Sequence, residues 1–348
     1  LAKQFFFGLS LSDTPFVEFY GDYMSPNWAL IVYYYTLIFK AFGAEEQILP
    51  LFNIFLFSYL FFFFQYLFKS IEITRRYLFS LGMLLLPGPI YWVATLSKEG
   101  IFYCFMAFIT YLITRGAKKF GIVKVINVVF LSVAFSLTSR FNIVLITILG
   151  IFSKRYVSGS VRSFSFIYSF IFITFITLFS FSFGVFLLSI MFGFDYLSSP
   201  WYIPISIDAD SSWGYKMRFV ADNIVDMWLF FPAKFILTVF SEVNPIYFIT
   251  FPYFEADSYA IIFSTAQGVV RIISFFLLFC FFPRISIQRG DIRFLLVLSF
   301  INYLVFAVVI GFFQSRYLIF SDYLLVSTLI LLFYSKGNNK GEVCNRYG

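Results

Sequence analysis

The chain has 348 residues, of which 61% are hydrophobic, 24% aromatic and only 12% charged; it contains 56 Phe and no His. A water-soluble core of this length has no use for so much apolar surface, and the lack of histidine excludes Ser-His triads, imidazole acid–base chemistry and His-ligated zinc, so any base must be a carboxylate. The net charge of +7 comes from basic residues scattered between apolar runs, a pattern that reports membrane orientation and offers no nucleic-acid surface.

At about 1.5 Å per residue and roughly 30 Å of hydrocarbon, the apolar runs predict an all-α polytopic membrane protein. Strands of a membrane barrel would alternate apolar and polar residues, which these runs do not. Phe5–Leu11 reads as the remnant of a truncated first helix. About nine spans then follow, ten with the truncated one, at residues 47–68, 77–96, 100–114, 122–139, 141–153, 163–194, 259–282, 294–313 and 317–335, within a single transmembrane domain covering 1–348.

The first outer loop, 12–46, carries Asp13, Glu18 and Asp22 and then an aromatic stretch, 27–43, that reads as an interfacial or re-entrant helix. If that stretch crossed the bilayer, every later loop would change sides and the basic majority would face outward. Trp28, Tyr33, Tyr34, Tyr35 and Lys40 suit the headgroup level. With the C-terminus inside, most of the 25 basic residues fall on the cytoplasmic side, in segments such as Lys69–Arg76, Arg115–Lys124 and Lys154–Arg162. Only Glu72, Asp291 and Glu342 of the 18 acidic residues join them.

Between 86 and 100, a Pro87-Gly88-Pro89 break and the pair Tyr91-Trp92 lead into Lys98 and Glu99. Ionisable residues at the lip of an embedded hairpin are costly to bury, so they are expected to line a polar recess. The spans at 100–114 and 141–153 are short, which places Lys98, Glu99 and Arg140 below the outer surface. Arg140, in Thr138-Ser139-Arg140-Phe141-Asn142, suits bidentate phosphate binding or a snorkelling position at a helix end. Glu99 reads as a base or as the counter-ion of Lys98.

The second outer loop, 195–258, mixes Trp201, Trp213 and Trp228 with Asp208, Asp210, Asp222 and Asp226. Aromatic faces stack on sugar rings and carboxylates accept from hydroxyls, so the loop suits carbohydrate; the same residues also suit an interfacial anchor. Arg271 lies near the middle of its span with Gln267 one turn earlier on the same face. At that depth it must face the bundle interior and have a partner, for which Asp322 in the last span is the candidate. Arg316 and Tyr317 open the last span, as substrate contacts or as a helix cap, with Tyr323 two turns on. Asp22 or Glu18 suits a general base or a divalent-cation ligand. Cys104, Cys280 and Cys344 are too far apart for a disulfide framework or a metal knuckle.

Several of these stretches carry a resemblance. Gly21-Asp22-Tyr23 before an aromatic helix ending in Phe42-Gly43, then Leu49-Pro50-Leu51-Phe52-Asn53, resembles the start of GT-C-type membrane glycosyltransferases. Pro87 and Pro89 with Tyr91-Trp92 and Ser97-Lys98-Glu99 is similar to a segment of those enzymes and of polysaccharide (O-antigen) polymerases of the Wzy kind. Arg316-Tyr317 resembles their late Arg-Tyr. The expected second acidic residue beside Asp22 is missing, and the expected first helix is absent or truncated.

The resemblance implies a GT-C-like fold in a bacterial cytoplasmic membrane, with a periplasmic or extracellular active face and a cytoplasmic C-terminus. It implies sugar transfer from a polyprenyl-phosphate or polyprenyl-diphosphate donor to a glycan or glycolipid acceptor in cell-envelope polysaccharide assembly. Asp22 maps to the family's base or metal contact, with Glu18 as its substitute, and a divalent cation is left open. From the residues themselves, Glu99 is the other candidate base; Lys98, Arg140, Arg271 and Arg316 with Tyr317 are the candidate phosphate and substrate contacts. A flippase for lipid-linked oligosaccharide is the alternative, although the inner halves of the spans carry few of the cations such a pathway needs.

Overall fold

The computed structural model describes residues 35–43, 48–94, 99–115, 121–138, 142–159, 258–285, 290–309 and 315–342, with short pieces at 171, 174–176, 179, 201–203, 217–219, 231–232, 235–236 and 239. The described chain is predominantly helical. Three of its helical runs, Ile48–Leu67, Ile262–Phe281 and Gly290–Ala307, are long and apolar enough to cross a membrane, and shorter apolar helices accompany them. It is a helical membrane protein. By contact the chain divides into two compact units, Leu1–Ile148 and Leu149–Gly348.

In the N-terminal unit, a helical segment at 35–42 precedes α1 (Ile48–Ser58) and α2 (Leu60–Leu67). The segment stops at Gly43, whose φ of +99° few other residues tolerate and whose N–H closes on the Phe39 carbonyl at 2.8 Å. Pro50 falls in the first turn of α1, where its missing N–H costs nothing. Between α1 and α2 the run tightens at Tyr59 through i→i+3 bonds, Tyr59 N–H to Leu56 O and Phe62 N–H to Tyr59 O, without ending the apolar stretch.

The single span expected at 77–96 is instead two helices, α3 (Ile73–Leu84) and α4 (Pro87–Ala94). Pro87 and Pro89 supply no N–H to an incoming helix, so α3 ends before them and a new helix starts with Pro87 at its first position. Next come α5 (Glu99–Arg115) and α6 (Ile122–Thr138), close to the bounds read from the apolar runs. α5 packs on α1, α2, α4 and α6. Its contact with α6 includes Phe105 stacked on Phe135 with ring centroids 3.9 Å apart. Exposed Ile122, Val123, Ile126, Phe130 and Val133 leave one face of α6 apolar and uncovered, as a lipid-facing helix requires.

A seventh helix, α7 (Asn142–Gly159), runs across the division between the units. The C-terminal unit is built on α8 (Ser258–Ile285), α9 (Gly290–Val309) and α10 (Ser315–Glu342), with α10 packed against both others. α9 is the interior helix: 83% of its span is buried, against 33% for the span in α8. α8 is amphipathic in the membrane sense. Gln267, Arg271 and Ser274 are buried at i, i+4 and i+7, while Ile262, Val269, Ile273 and Phe276 are exposed on the other side.

One departure from the all-α expectation falls in the long loop at 195–258. Two three-residue strands, β1 (Trp201–Ile203) and β2 (Met217–Phe219), pair antiparallel with Trp201 opposite Phe219 and Ile203 opposite Met217. Each is too short to give a period-2 signal that sequence reading resolves.

Candidate functional site

The structure builds a buried polar centre in each unit. In the N-terminal unit the centre is Glu99, the first residue of α5, which is only 1% exposed. The partial positive charge of a helix N-terminus attracts a carboxylate there. Next to it, Gly100 lets α1 approach closely: a Cβ on Gly100 would lie 3.1 Å from the backbone oxygen of Asn53 and 3.3 Å from its Cβ. Asn53 is itself fully buried. One turn further on, the Cys104 thiol reaches the Leu56 carbonyl at 2.9 Å, so α1 and α5 run side by side in the same direction.

Ile38 and Phe39 of the 35–42 segment pack with Leu49 and Ile101 into an apolar cluster at this same end of α5, while Leu37, Lys40 and Phe42 are exposed. The end of the aromatic segment, the Leu49–Asn53 stretch and the Glu99–Gly100 pair thus come together, although they are distant in sequence. Sequence reasoning does not single out Asn53 as a site residue; its signal is an amide inside an apolar run.

Gly100 gives a direct check on this packing. Gly100→Ala is expected to cost about 1–3 kcal/mol, because the atom it meets is backbone and cannot rotate away. A thermal melt of the purified protein measures it; an unchanged melting temperature would contradict the close approach.

In the C-terminal unit the centre is Arg271 with Asp322, both fully buried. Arg271 Nε donates to Asp322 Oδ1 at 2.7 Å and Nη2 to Oδ2 at 2.9 Å, a bidentate pair. Nη1 donates to the Val239 carbonyl at 3.1 Å. Gln267 Nε2 adds a bond to Asp322 Oδ2 at 2.8 Å, and the Tyr303 hydroxyl donates to Oδ1. Asp322 therefore accepts four hydrogen bonds from three residues on two neighbouring helices. The cluster is formally neutral as a pair, which is what lets two charges persist fully buried between apolar helices.

Arg271 is about nine residues, or roughly 14 Å, from the start of its apolar span and a similar distance from the end. A guanidinium so placed is out of reach of either interface by snorkelling. Its expected partner, Asp322, is the one it has. Tyr303 escapes sequence reasoning, because a tyrosine in an apolar span reads as filler unless its hydroxyl is traced to a partner. A substrate phosphate reaching Arg271 has to displace Asp322, so the pair is better suited to holding α8 and α10 together than to gripping a mobile anion.

Asp22, Glu18, Lys98 and Arg140 lie outside the described residues. Arg316 and Tyr317 fall in the first turn of α10, with side chains also outside what is described. Among the described residues no three of Asp, Glu, Cys and His gather as a metal site. No protein-family model, curated protein or solved structure matches the chain.

Proposed function

We propose that the chain is a GT-C-like membrane glycosyltransferase, with about nine spans and a cytoplasmic C-terminus. It transfers a sugar from a polyprenyl-phosphate or polyprenyl-diphosphate donor to a glycan or glycolipid acceptor at the outer face of a bacterial cytoplasmic membrane. The observation that carries this reading is Glu99: a buried carboxylate at the start of α5, at the end where the 35–42 segment, α1 and α5 meet. An ionisable group at that depth is expensive unless it is used.

In this reading the acceptor hydroxyl oxygen attacks the anomeric carbon of the donor sugar. The bond from that carbon to the phosphate oxygen breaks, and the electron pair leaves with the lipid phosphate, whose charge Lys98 and Arg140 offset. Asp22 or Glu99 takes the hydroxyl proton. Arg271 serves as scaffold. A lipid-borne donor accounts for a site set among helices, since its phosphate lies at the membrane surface while its chain stays in the hydrocarbon.

Two contacts support the topology. Lys154 of α7 and Asp291 of α9, 137 residues apart in sequence, pair at 2.6 Å, which agrees with the proposed placement of both on the cytoplasmic side. Tyr66 and Tyr111 meet edge-to-face beside Lys69 and Arg115, two cations assigned to that same side.

The test is the purified full chain in proteoliposomes supplied with labelled lipid-linked sugar donors and an acceptor glycan. Labelled acceptor is the expected result, and product length separates single-sugar transfer from polymerisation. Donor that crosses the bilayer with its sugar still attached, and no labelled acceptor, would overturn the transferase reading in favour of a flippase.

A further inference from the structure

At the end of the N-terminal unit where α2 turns back into α3, cations are fixed against aromatic rings. Tyr66 and Tyr111 pack edge-to-face with centroids 4.6 Å apart. Lys69 Nζ lies 4.8 Å from the Tyr66 centroid, and Arg115 Nη1 donates to the Tyr111 hydroxyl at 2.7 Å. Gln65 ties Arg76 to the same end by donating to the Arg76 carbonyl at 3.3 Å and to Ser80 Oγ at 2.9 Å. Glu72, the carboxylate nearby, sits 3.6 Å from Arg75.

Lys69, Arg76 and Arg115 have no carboxylate partner among the described residues, and Arg76 Nε is buried there without an acceptor. A positive-inside signal needs only basic residues in the loops; it does not need them held on tyrosines around a common end. Running away from these cations along α3 is an exposed apolar stripe, Ile73, Tyr77 and Leu81, at i, i+4 and i+8. Cations at the head and a bare apolar track behind them match an amphiphile with an anionic headgroup.

We propose that this end of α2, α3 and α5 binds an anionic phospholipid, with Lys69, Arg76 and Arg115 on its headgroup phosphate and the α3 stripe along an acyl chain. Arginine supplies directional donors to phosphate oxygens, and each cation near an anionic membrane surface strengthens binding about fivefold. The site is independent of the transferase reading.

The experiment titrates phosphatidylglycerol, phosphatidylcholine or inorganic phosphate onto the delipidated full-length protein in detergent and follows bound lipid by native mass spectrometry. Wild type is expected to retain phosphatidylglycerol over phosphatidylcholine. The triple variant K69Q/R76Q/R115Q is expected to bind it on the order of 100-fold more weakly. The exposed single change Lys69→Gln, which leaves packing intact, is expected to weaken it roughly fivefold. K118Q/K119Q/K124Q, which removes equal charge from the next basic segment, should leave it unchanged. Equal retention by K69Q and wild type, equal loss in the control triple, or full competition by inorganic phosphate at the lipid's concentration would each overturn the assignment.

Discussion

Replacing Arg271 with Met is expected to destabilise the C-terminal unit by about 3–5 kcal/mol, because it leaves Asp322 as an unpaired buried carboxylate among α8, α9 and α10. Asp322→Asn is expected to cost a similar amount by stranding the guanidinium. The two losses should not add. In R271M/D322N no charge remains, and the amide introduced at position 322 presents its carbonyl oxygen to the Tyr303 hydroxyl and its NH2 to the side-chain oxygen of Gln267 once that amide flips.

The double variant is therefore expected to be at least about 2 kcal/mol more stable than the sum of the single losses predicts. Denaturant or thermal unfolding of the purified protein measures all three. Strict additivity would mean that the two residues do not act as a pair. Full tolerance of both single changes would mean that the charges are solvated, contrary to their complete burial.

That prediction also shows what residue type alone conveys. An arginine near the centre of an apolar run has few physical options, so its need for an acidic partner was legible, and Asp322 was available in the last span. The hydroxyl of Tyr303 was not, because only the register of α9 against α10 brings it to the carboxylate. Among the described residues, the helix positions in α1–α2, α5, α6 and α8–α10 followed from apolar runs bounded by charge, while the span expected at 163–194 lies almost wholly outside them. The Leu85–Leu86 break was marked by the following prolines, yet hydropathy averages over such a break and joined α3 to α4 as one span.

The N-terminal centre divides in the same way. Lys98 and Glu99 stood out as charges next to apolar segments, and Gly43 marked the end of the segment at 35–42 through a backbone conformation suited to glycine. The meeting of Asn53 with Gly100 was not legible, since a small residue in a helix signals close approach without naming what approaches. Charge bias assigns Lys154 and Asp291 to one side of the membrane, and their ion pair is a contact which that assignment permits but does not specify.

The transferase account turns on whether Glu99, at the start of α5, or Asp22 takes the acceptor proton. Glu99→Gln keeps the size and hydrogen-bonding capacity of the side chain in its buried position at the start of α5 while removing the proton acceptor. Asp22→Asn does the same in the first loop. Loss of a general base typically costs about 10²–10⁴-fold in rate, so the residue that serves should lower the turnover number by roughly that factor with donor affinity and melting temperature retained.

The most direct measurement is accordingly the turnover of labelled lipid-linked donor by wild type, E99Q and D22N in the same proteoliposomes. The account predicts a collapse of roughly 10²-fold or more in at least one of the two variants, with its fold intact. Turnover within about twofold of wild type in both, and in E18Q as the remaining first-loop carboxylate, would contradict it, since no histidine is present to take the proton in their place.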